Sequence, residues 1–366
     1  MAERRGIAER VRFRDIIYEL QTTQGYECLQ ACLVCPDGEV FSFASGYART
    51  TVKEKKKNSP RTFPITIDTT FRLGTSSSLF VTAAIMRLIT KNQLSLHSTV
   101  DRWFPNLPRD ITIESLLTHQ SGLTDVLTHP LVTLLSEMAP SHKWNARHVV
   151  KRLLSKKQRF PAFAGVAYSA TNFLLLALIV EAISGKTYRE YLVSERIINP
   201  KFVSFLDNGA EVDPRLIGGI DETAVTGPTR VKPRFSQRDS LAWATGAGVA
   251  SATTMALWVR EMATTDRFFD RHLFYEMEQI PDAPRIGPAG NGLGTFATGL
   301  SAGRMCGKPV YGHCGQTRGY ESLAVYCPEE GYSIALNANS SRELCSLRPI
   351  AQAIVSEMIP MHRRPF

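Results

Sequence analysis

Residues Phe71–Ile89 read FRLGTSSSLFVTAAIMRLI. A short extended lead ends at Gly74 and is followed by four hydroxyl residues in a row, Thr75, Ser76, Ser77 and Ser78. From Leu79 to Ile89 the apolar residues recur with helical period. The stretch therefore predicts a hydroxyl cluster at the opening turn of a buried helix, joined to what precedes it through a glycine.

Upstream, residues 1–20 predict an amphipathic helix, and 26–35 and 39–47 predict two strands joined at Pro36-Asp37-Gly38, a favourable turn. Residues 50–62 form a lysine-rich polar connection. Downstream, 92–108 suggests a turn and short helices, and helical patterns follow at Ile113–Thr118, Ala146–Leu154 and Phe173–Ile183, the last closed by Gly185. Residues 205–240, rich in Pro, Gly and Asp, read as a long irregular connection. Ala250–Met262 predicts a helix. Pro309–Tyr311, Glu321–Cys327 and Tyr332–Asn337 predict strands, the last two forming a hairpin across Pro328–Gly331, and 345–359 predicts a closing helix. No internal repeat is present. Strands at both ends bracket a mostly helical middle. The expected fold is α+β: an antiparallel sheet flanked by helices, with a helical lobe inserted between its strands. Residues 1–366 would form a single domain, with 1–90 and 245–366 in the α/β lobe and 91–244 in the helical lobe. A ligand would bind in the groove between the lobes.

The chain has 366 residues, 43% hydrophobic and 21% charged, enough for a large core and unlike a disordered chain. Its net charge of +9 would favour anionic ligands or partners. Much of that excess is local, in Lys53, Lys55, Lys56 and Lys57 and in Lys156, Lys157 and Arg159, which read as a solvated loop and a helix end. No aromatic residues interleave with these runs, so no nucleic-acid partner is expected. No apolar stretch is long enough to span a bilayer, and Met1–Phe13 lacks the apolar core of a signal peptide, so a cytoplasmic protein with no membrane partner is expected. Seven cysteines, an odd number, suggest free thiols. In the strand over 26–35, period-2 spacing sends Cys28, Cys32 and Val34 to one face and Leu29, Leu33 and Cys35 to the other, so these thiols cannot close on one metal ion. Neither metal nor cofactor is expected.

Five phrases in order carry a resemblance. They are Phe71-Arg72-Leu73-Gly74-Thr75-Ser76-Ser77-Ser78, Leu94-Ser95-Leu96-His97, Ile111 to Leu123 (ITIESLLTHQSGL), Tyr168-Ser169-Ala170, and Gly312-His313-Cys314-Gly315. The chain resembles the serine β-lactamase and penicillin-binding-protein-like superfamily, in the branch of class C β-lactamases, esterases, D-aminopeptidases and lovastatin-type acyltransferases. The resemblance implies the α+β fold above and a groove built by the first, fourth and fifth phrases. It also implies a nucleophilic serine opening a helix, with a lysine three residues on to take its proton. Here the nucleophile position falls on Thr75 and the lysine position on Ser78. The first downstream lysine is Lys91. The family's Y-S-N becomes Tyr168-Ser169-Ala170, so a proton-carrying tyrosine is kept and the amide is lost. The H-x-G phrase is kept as His313-Cys314-Gly315, with Gly315 admitting a ligand close to the strand and His313 able to carry a proton. His119 and Ser121 read as structural landmarks.

The residues expected to act are therefore Tyr168, His313 and Thr75, with Ser76, Ser78, Ala170, Cys314, Gly315, Arg318 and Glu321 expected to line the substrate site. Three functions stay open. The first is an enzyme of small-molecule metabolism that performs non-covalent acid–base chemistry (cyclisation, isomerisation or elimination). The second is an acyl hydrolase or acyltransferase that uses Thr75. The third is a non-catalytic ligand binder. The expected partner is a small-molecule substrate; the oligomeric state is unreadable from sequence.

Overall fold

Every residue of β1 (Cys28–Val34) is buried, because the strand lies inside an eight-stranded antiparallel sheet covered by helices on both faces. The computed structural model describes residues 2–51, 60–138, 144–153, 158–206, 212–224, 227–232, 237–286, 293–342 and 345–363. The lysines of the 53–57 run, with Lys156 and Lys157, lie outside the described residues.

Helix α1 (Ala2–Thr23) precedes β1, β2 (Val40–Thr51) and β3 (Pro60–Pro64). Strand β4 (Phe71–Arg72) leads through a 3-10 turn (Gly74–Ser77) into α2 (Ser78–Thr90). The middle of the chain carries α3 (Ile113–Leu117), α4 (Pro130–Met138), α5 (Ala146–Leu153), α6 (Ala170–Ser184) and α7 (Tyr188–Ser194). Short strands β5 (Ser204–Phe205), β6 (Gly219–Asp221) and β7 (Thr229–Val231) and helix α8 (Gln237–Gly246) follow. The remainder is β8 (Gly248–Ala250), α9 (Ala252–Thr264), α10 (His272–Met277), β9 (Gly294–Phe296), β10 (Ser301–Met305), β11 (Lys308–Thr317), β12 (Tyr320–Cys327), β13 (Tyr332–Ala338), β14 (Ser340–Ser341) and α11 (Leu347–Arg363).

The sheet order is β3-β2-β1-β13-β12-β11-β10-β9. The first three strands come from the start of the chain and the rest from its last third, joined where Leu29 pairs with Ala338. Strand alternation divides the core as the sequence implied. Cys28, Cys32 and Val34 join the larger cluster with α2, α6 and α9. Leu29, Leu33 and Cys35 join Phe13 and Ile17 of α1 and Ile350 and Ile354 of α11. Helix α6 starts at Ala170, is buried from there to Val180, and ends on Gly185 in the left-handed conformation. Among the described residues no single helix is long and apolar enough to cross a membrane.

Two elements differ from their sequence reading. Strand β11 runs for ten residues, well beyond Pro309–Tyr311, because Lys308–Gly312 pair with β10 and Tyr311–Thr317 with β12. The described part of 205–240 holds short strands rather than only irregular chain: β6 pairs with β7 and, in parallel, with β14.

Candidate active site

Two glycines let the Gly74–Ser77 turn press against β11. Gly74 has φ +52, and a Cβ there would lie 2.6 Å from the Gln316 carbonyl; a Cβ on Gly315 would lie 2.0 Å from Leu73 O and 2.7 Å from Ser76 N. At this contact Thr75 Oγ1 donates to the Cys314 carbonyl at 3.2 Å. Ser76, fully buried, donates to the His313 carbonyl at 3.5 Å, and its Oγ lies 2.8 Å from that of Ser322, which also donates to Leu73 O at 2.7 Å. Ser77 Oγ donates to Gly74 O at 2.7 Å and accepts the Gly248 N–H at 3.0 Å. Thus Ser76 and Ser77 hold the turn to β12 and β8. Thr75 alone of the four is partly exposed, and Ser78 is buried at the start of α2.

A second group of side chains comes from the helical lobe and β9. His119, in the left-handed region at φ +56, is buried. Its Nδ1 accepts the Ser169 N–H at 3.3 Å and sits 3.1 Å from the Asn172 amide nitrogen, so the neutral ring carries its hydrogen on Nε2. Its ring packs on Phe296 (4.5 Å between centroids), Tyr168 (4.8 Å) and Phe173 (5.2 Å). Burial, then the nearby His313, push its pKa down to about 3. His313 Nδ1 lies 2.7 Å from the Cys314 carbonyl. A carbonyl only accepts, so Nδ1 carries the hydrogen and Nε2 keeps its lone pair. Burial holds the His313 pKa down at about 4, against the raising effect of that bond. Burial, then Asp125, push the Tyr168 phenol well above its ordinary value. Asp125 is itself raised by burial, although it accepts the N–H groups of Leu127 (2.9 Å) and Ala170 (3.2 Å). At neutral pH both imidazoles are therefore uncharged and the phenol keeps its proton.

The sequence pattern of the Beta-lactamase family matches residues 13–355. The chain belongs to the Beta-lactamase family. It is 29% identical over 165 residues to penicillin-binding protein 4* of Bacillus subtilis (strain 168), covering 44% of this chain and 34% of that protein. It is 26% identical over 312 residues to a D-aminopeptidase of Brucella anthropi, covering 82% and 54%. It thus spans less than two thirds of the length of either curated relative. The structure of D-amino acid amidase from Ochrobactrum anthropi SV3 complexed with L-phenylalanine superimposes with a TM-score of 0.78 at 24% identity, over 96% of this chain and 99% of that one, which shows a shared fold.

Within this Beta-lactamase-family fold, the residues singled out from sequence separate into two sets. Thr75, Ser76, His313 and Gly315 meet where the turn packs on β11. Tyr168 packs on His119, whose pKa is held down by burial and by the nearby His313. Ser78 lies buried at the head of α2, and Ala170 lies buried at the head of α6, where it contributes only its N–H to Asp125. Cys314 and Glu321 lie on the other side of the sheet from the turn. Each neighbours a strand residue whose face packs on the turn, so its own side chain points to the opposite face. There Cys314 is disulfide-bonded to Cys345, which also corrects the expectation of free thiols; Cys28, Cys32, Cys35, Cys306 and Cys327 remain free. Glu321 is buried on the same face, accepting from Ser346 Oγ and from the Arg342 N–H at 2.7 Å. Arg318 donates to Asp221 of β6 at 2.8 Å rather than standing free. His119, read from sequence as a structural landmark, is held among Ser169, Asn172 and three aromatic rings. It is the histidine inside the longest continuous phrase of the resemblance, Ile111–Leu123.

Proposed function

We propose that this family member works without an acyl-enzyme. It would bind a small carbonyl-bearing ligand in the groove and move protons on it, with His313 as base and Tyr168 as acid. The observation that carries this reading is the direction of one hydrogen bond: the Thr75 hydroxyl gives its hydrogen to the Cys314 carbonyl. A carbonyl oxygen can orient a hydroxyl but cannot remove its proton, and an unactivated hydroxyl is a poor nucleophile at neutral pH. The position where the family motif carries lysine is Ser78. Lys91, the next lysine, is engaged at the far end of α2 with Glu195 at 2.6 Å.

The remaining groups hold complementary protonation states. His313 is neutral with Nε2 unprotonated, and Tyr168 holds its proton, so base and acid coexist at one pH. Isomerisation, elimination or cyclisation next to a carbonyl needs this pair and no covalent intermediate. The likeness to a D-aminopeptidase and a D-amino acid amidase supports amino-acid amides and esters as the first ligands to try.

The test has two arms. The chain is treated with an activated ester and a fluorophosphonate and weighed intact; it should remain unmodified. It is then incubated in deuterated water with a panel of D- and L-amino-acid amides, and deuterium uptake at the α-carbon is followed. A substrate of the site should exchange with the wild type, at least tenfold more slowly with Tyr168→Phe, and not measurably with His313→Ala. A stoichiometric adduct mapped to Thr75 would overturn the proposal in favour of acyl transfer. Tight binding of a ligand with no proton exchange at all would overturn it in favour of a non-catalytic binder.

A further inference from the structure

On the face of β11 turned away from the Gly74–Ser77 turn, Cys314 is bonded to Cys345, 31 residues further along the chain. The described residues around Cys345 are fastened to the same face at three more points. Gln316 Nε2 donates to the Arg342 carbonyl at 2.6 Å. Glu321 Oε1 accepts the Arg342 N–H at 2.7 Å. Glu321 also accepts from Ser346 Oγ, which in turn lies 2.6 Å from the Tyr26 hydroxyl. The chain leaving β14 is thus strapped across the backs of β11 and β12. On the front, the carbonyl of the same Cys314 accepts the Thr75 hydroxyl at 3.2 Å and His313 Nδ1–H at 2.7 Å. One residue is held covalently from behind, and two groups of the site are oriented on it from in front.

We propose that the Cys314–Cys345 disulfide is a redox-sensitive positioning element for the site. Oxidised, it fixes the carbonyl that orients Thr75 and His313. Reduced, it frees β11 at that point and lets both groups turn. The inference rests on reading Thr75 and His313 as site groups. The chemistry balances with a dithiol reductant. One thiolate attacks Sγ of Cys345, the more exposed sulfur, and the S–S bond breaks with its electron pair and a proton passing to Cys314. The second thiol of the reductant then displaces Cys345. The result is two protein thiols and a cyclic disulfide, with two electrons and two protons transferred. The departing Cys314 sulfur sits in an apolar cluster, 2% exposed, which disfavours a thiolate there and makes the exchange slow.

The full chain is purified without reductant, and its thiols are counted after denaturation; five are expected. It is then labelled with 15N-histidine. The His313 ring resonances are followed across pH in the oxidised protein, after dithiothreitol, in Cys345→Ser and in the control Cys306→Ser. Reduction and Cys345→Ser should both displace the His313 ring resonances and lower its titration midpoint, because the bond to the Cys314 carbonyl, which raises it, is loosened. Cys306→Ser should match the oxidised wild type. Should Cys345→Ser fail to fold, the dithiothreitol arm reads the same quantity. Seven thiols in the unreduced protein, or His313 resonances indifferent to reduction, would overturn the proposal. Neither outcome depends on whether Thr75 can be acylated, so this reading and the one above fail separately.

Discussion

The two buried imidazoles set a pH dependence of stability whose size follows from their environment. In the unfolded chain each would titrate at about 6.5; folded, His119 is held at about 3 and His313 at about 4. A depressed histidine contributes stability above its unfolded pKa and loses it as pH falls towards its folded pKa, because the unfolded chain takes up a proton that the native ring refuses. At pH 8 neither state is protonated at these rings. At pH 5 the unfolded chain is protonated at both and the native state at almost neither. Each ring then costs about 2 kcal/mol, or about 4 kcal/mol together, from about 1.5 pH units at 1.36 kcal/mol per unit. His362 works in the opposite sense. Hydrogen bonds to Asp37 and Glu9 outweigh its burial and raise its pKa, so its contribution is present below its unfolded pKa and lost as pH rises through the folded one. That term is common to wild type and variants and cancels in a difference. Urea unfolding at pH 8 and pH 5 should therefore show His313→Asn losing about 2 kcal/mol less than the wild type between the two conditions, whatever its absolute stability. An equal loss in both proteins would refute the claim that His313 is buried and neutral.

Two further substitutions test the contact between the turn and β11. Gly315→Ala places a methyl 2.0 Å from the Leu73 carbonyl and 2.7 Å from Ser76 N, backbone atoms that cannot step aside singly; overpacking of this kind costs about 1–3 kcal/mol, so the melting temperature should fall and substrate turnover should fall with it. Ser77→Ala removes the acceptor of the buried Gly248 N–H and a donor to Gly74 O. An unsatisfied buried amide costs about 1–3 kcal/mol, which chemical denaturation would read directly.

The fold was legible where periodicity was strong. The two faces of β1 and the bracketed order of strands and helices follow from spacing alone, and the hydroxyl cluster does sit at the head of α2. The sequence phrases that carry Thr75, His313 and Gly315 do come together, through backbone contacts between the turn and β11. The site was misread where strand alternation was not carried through. With the face of β11 that carries Gly315 turned to the Gly74–Ser77 turn, Cys314 next to it has to face away, and Glu321 beside Ser322 likewise. The Cys314–Cys345 bond was beyond the sequence, since an odd cysteine count says nothing about which pair meets across two strands and a helix start. His119 lay beyond simple reading for another reason. Its environment is made by Phe296 and Tyr168, residues far from it in the chain, and only packing brings them to its ring.

The seam where β1 pairs with β13 has a consequence for how the protein comes into being. Strands β1 to β3 are made first, yet β1 gains its second neighbour only when Ile334, Leu336 and Ala338 have left the ribosome. Until then an apolar strand presents an open edge, the kind of surface that invites wrong pairing. The hairpins linking β10 to β13 can form among themselves, since their contacts are local. The entropy of closing so long a loop grows only slowly with its length, but the wait is long, and non-local pairing of this kind slows folding. The nascent N-terminal strands of this chain are thus open to wrong pairing along β1 until β13 emerges, and a truncation that removes β13 would leave that edge unpaired.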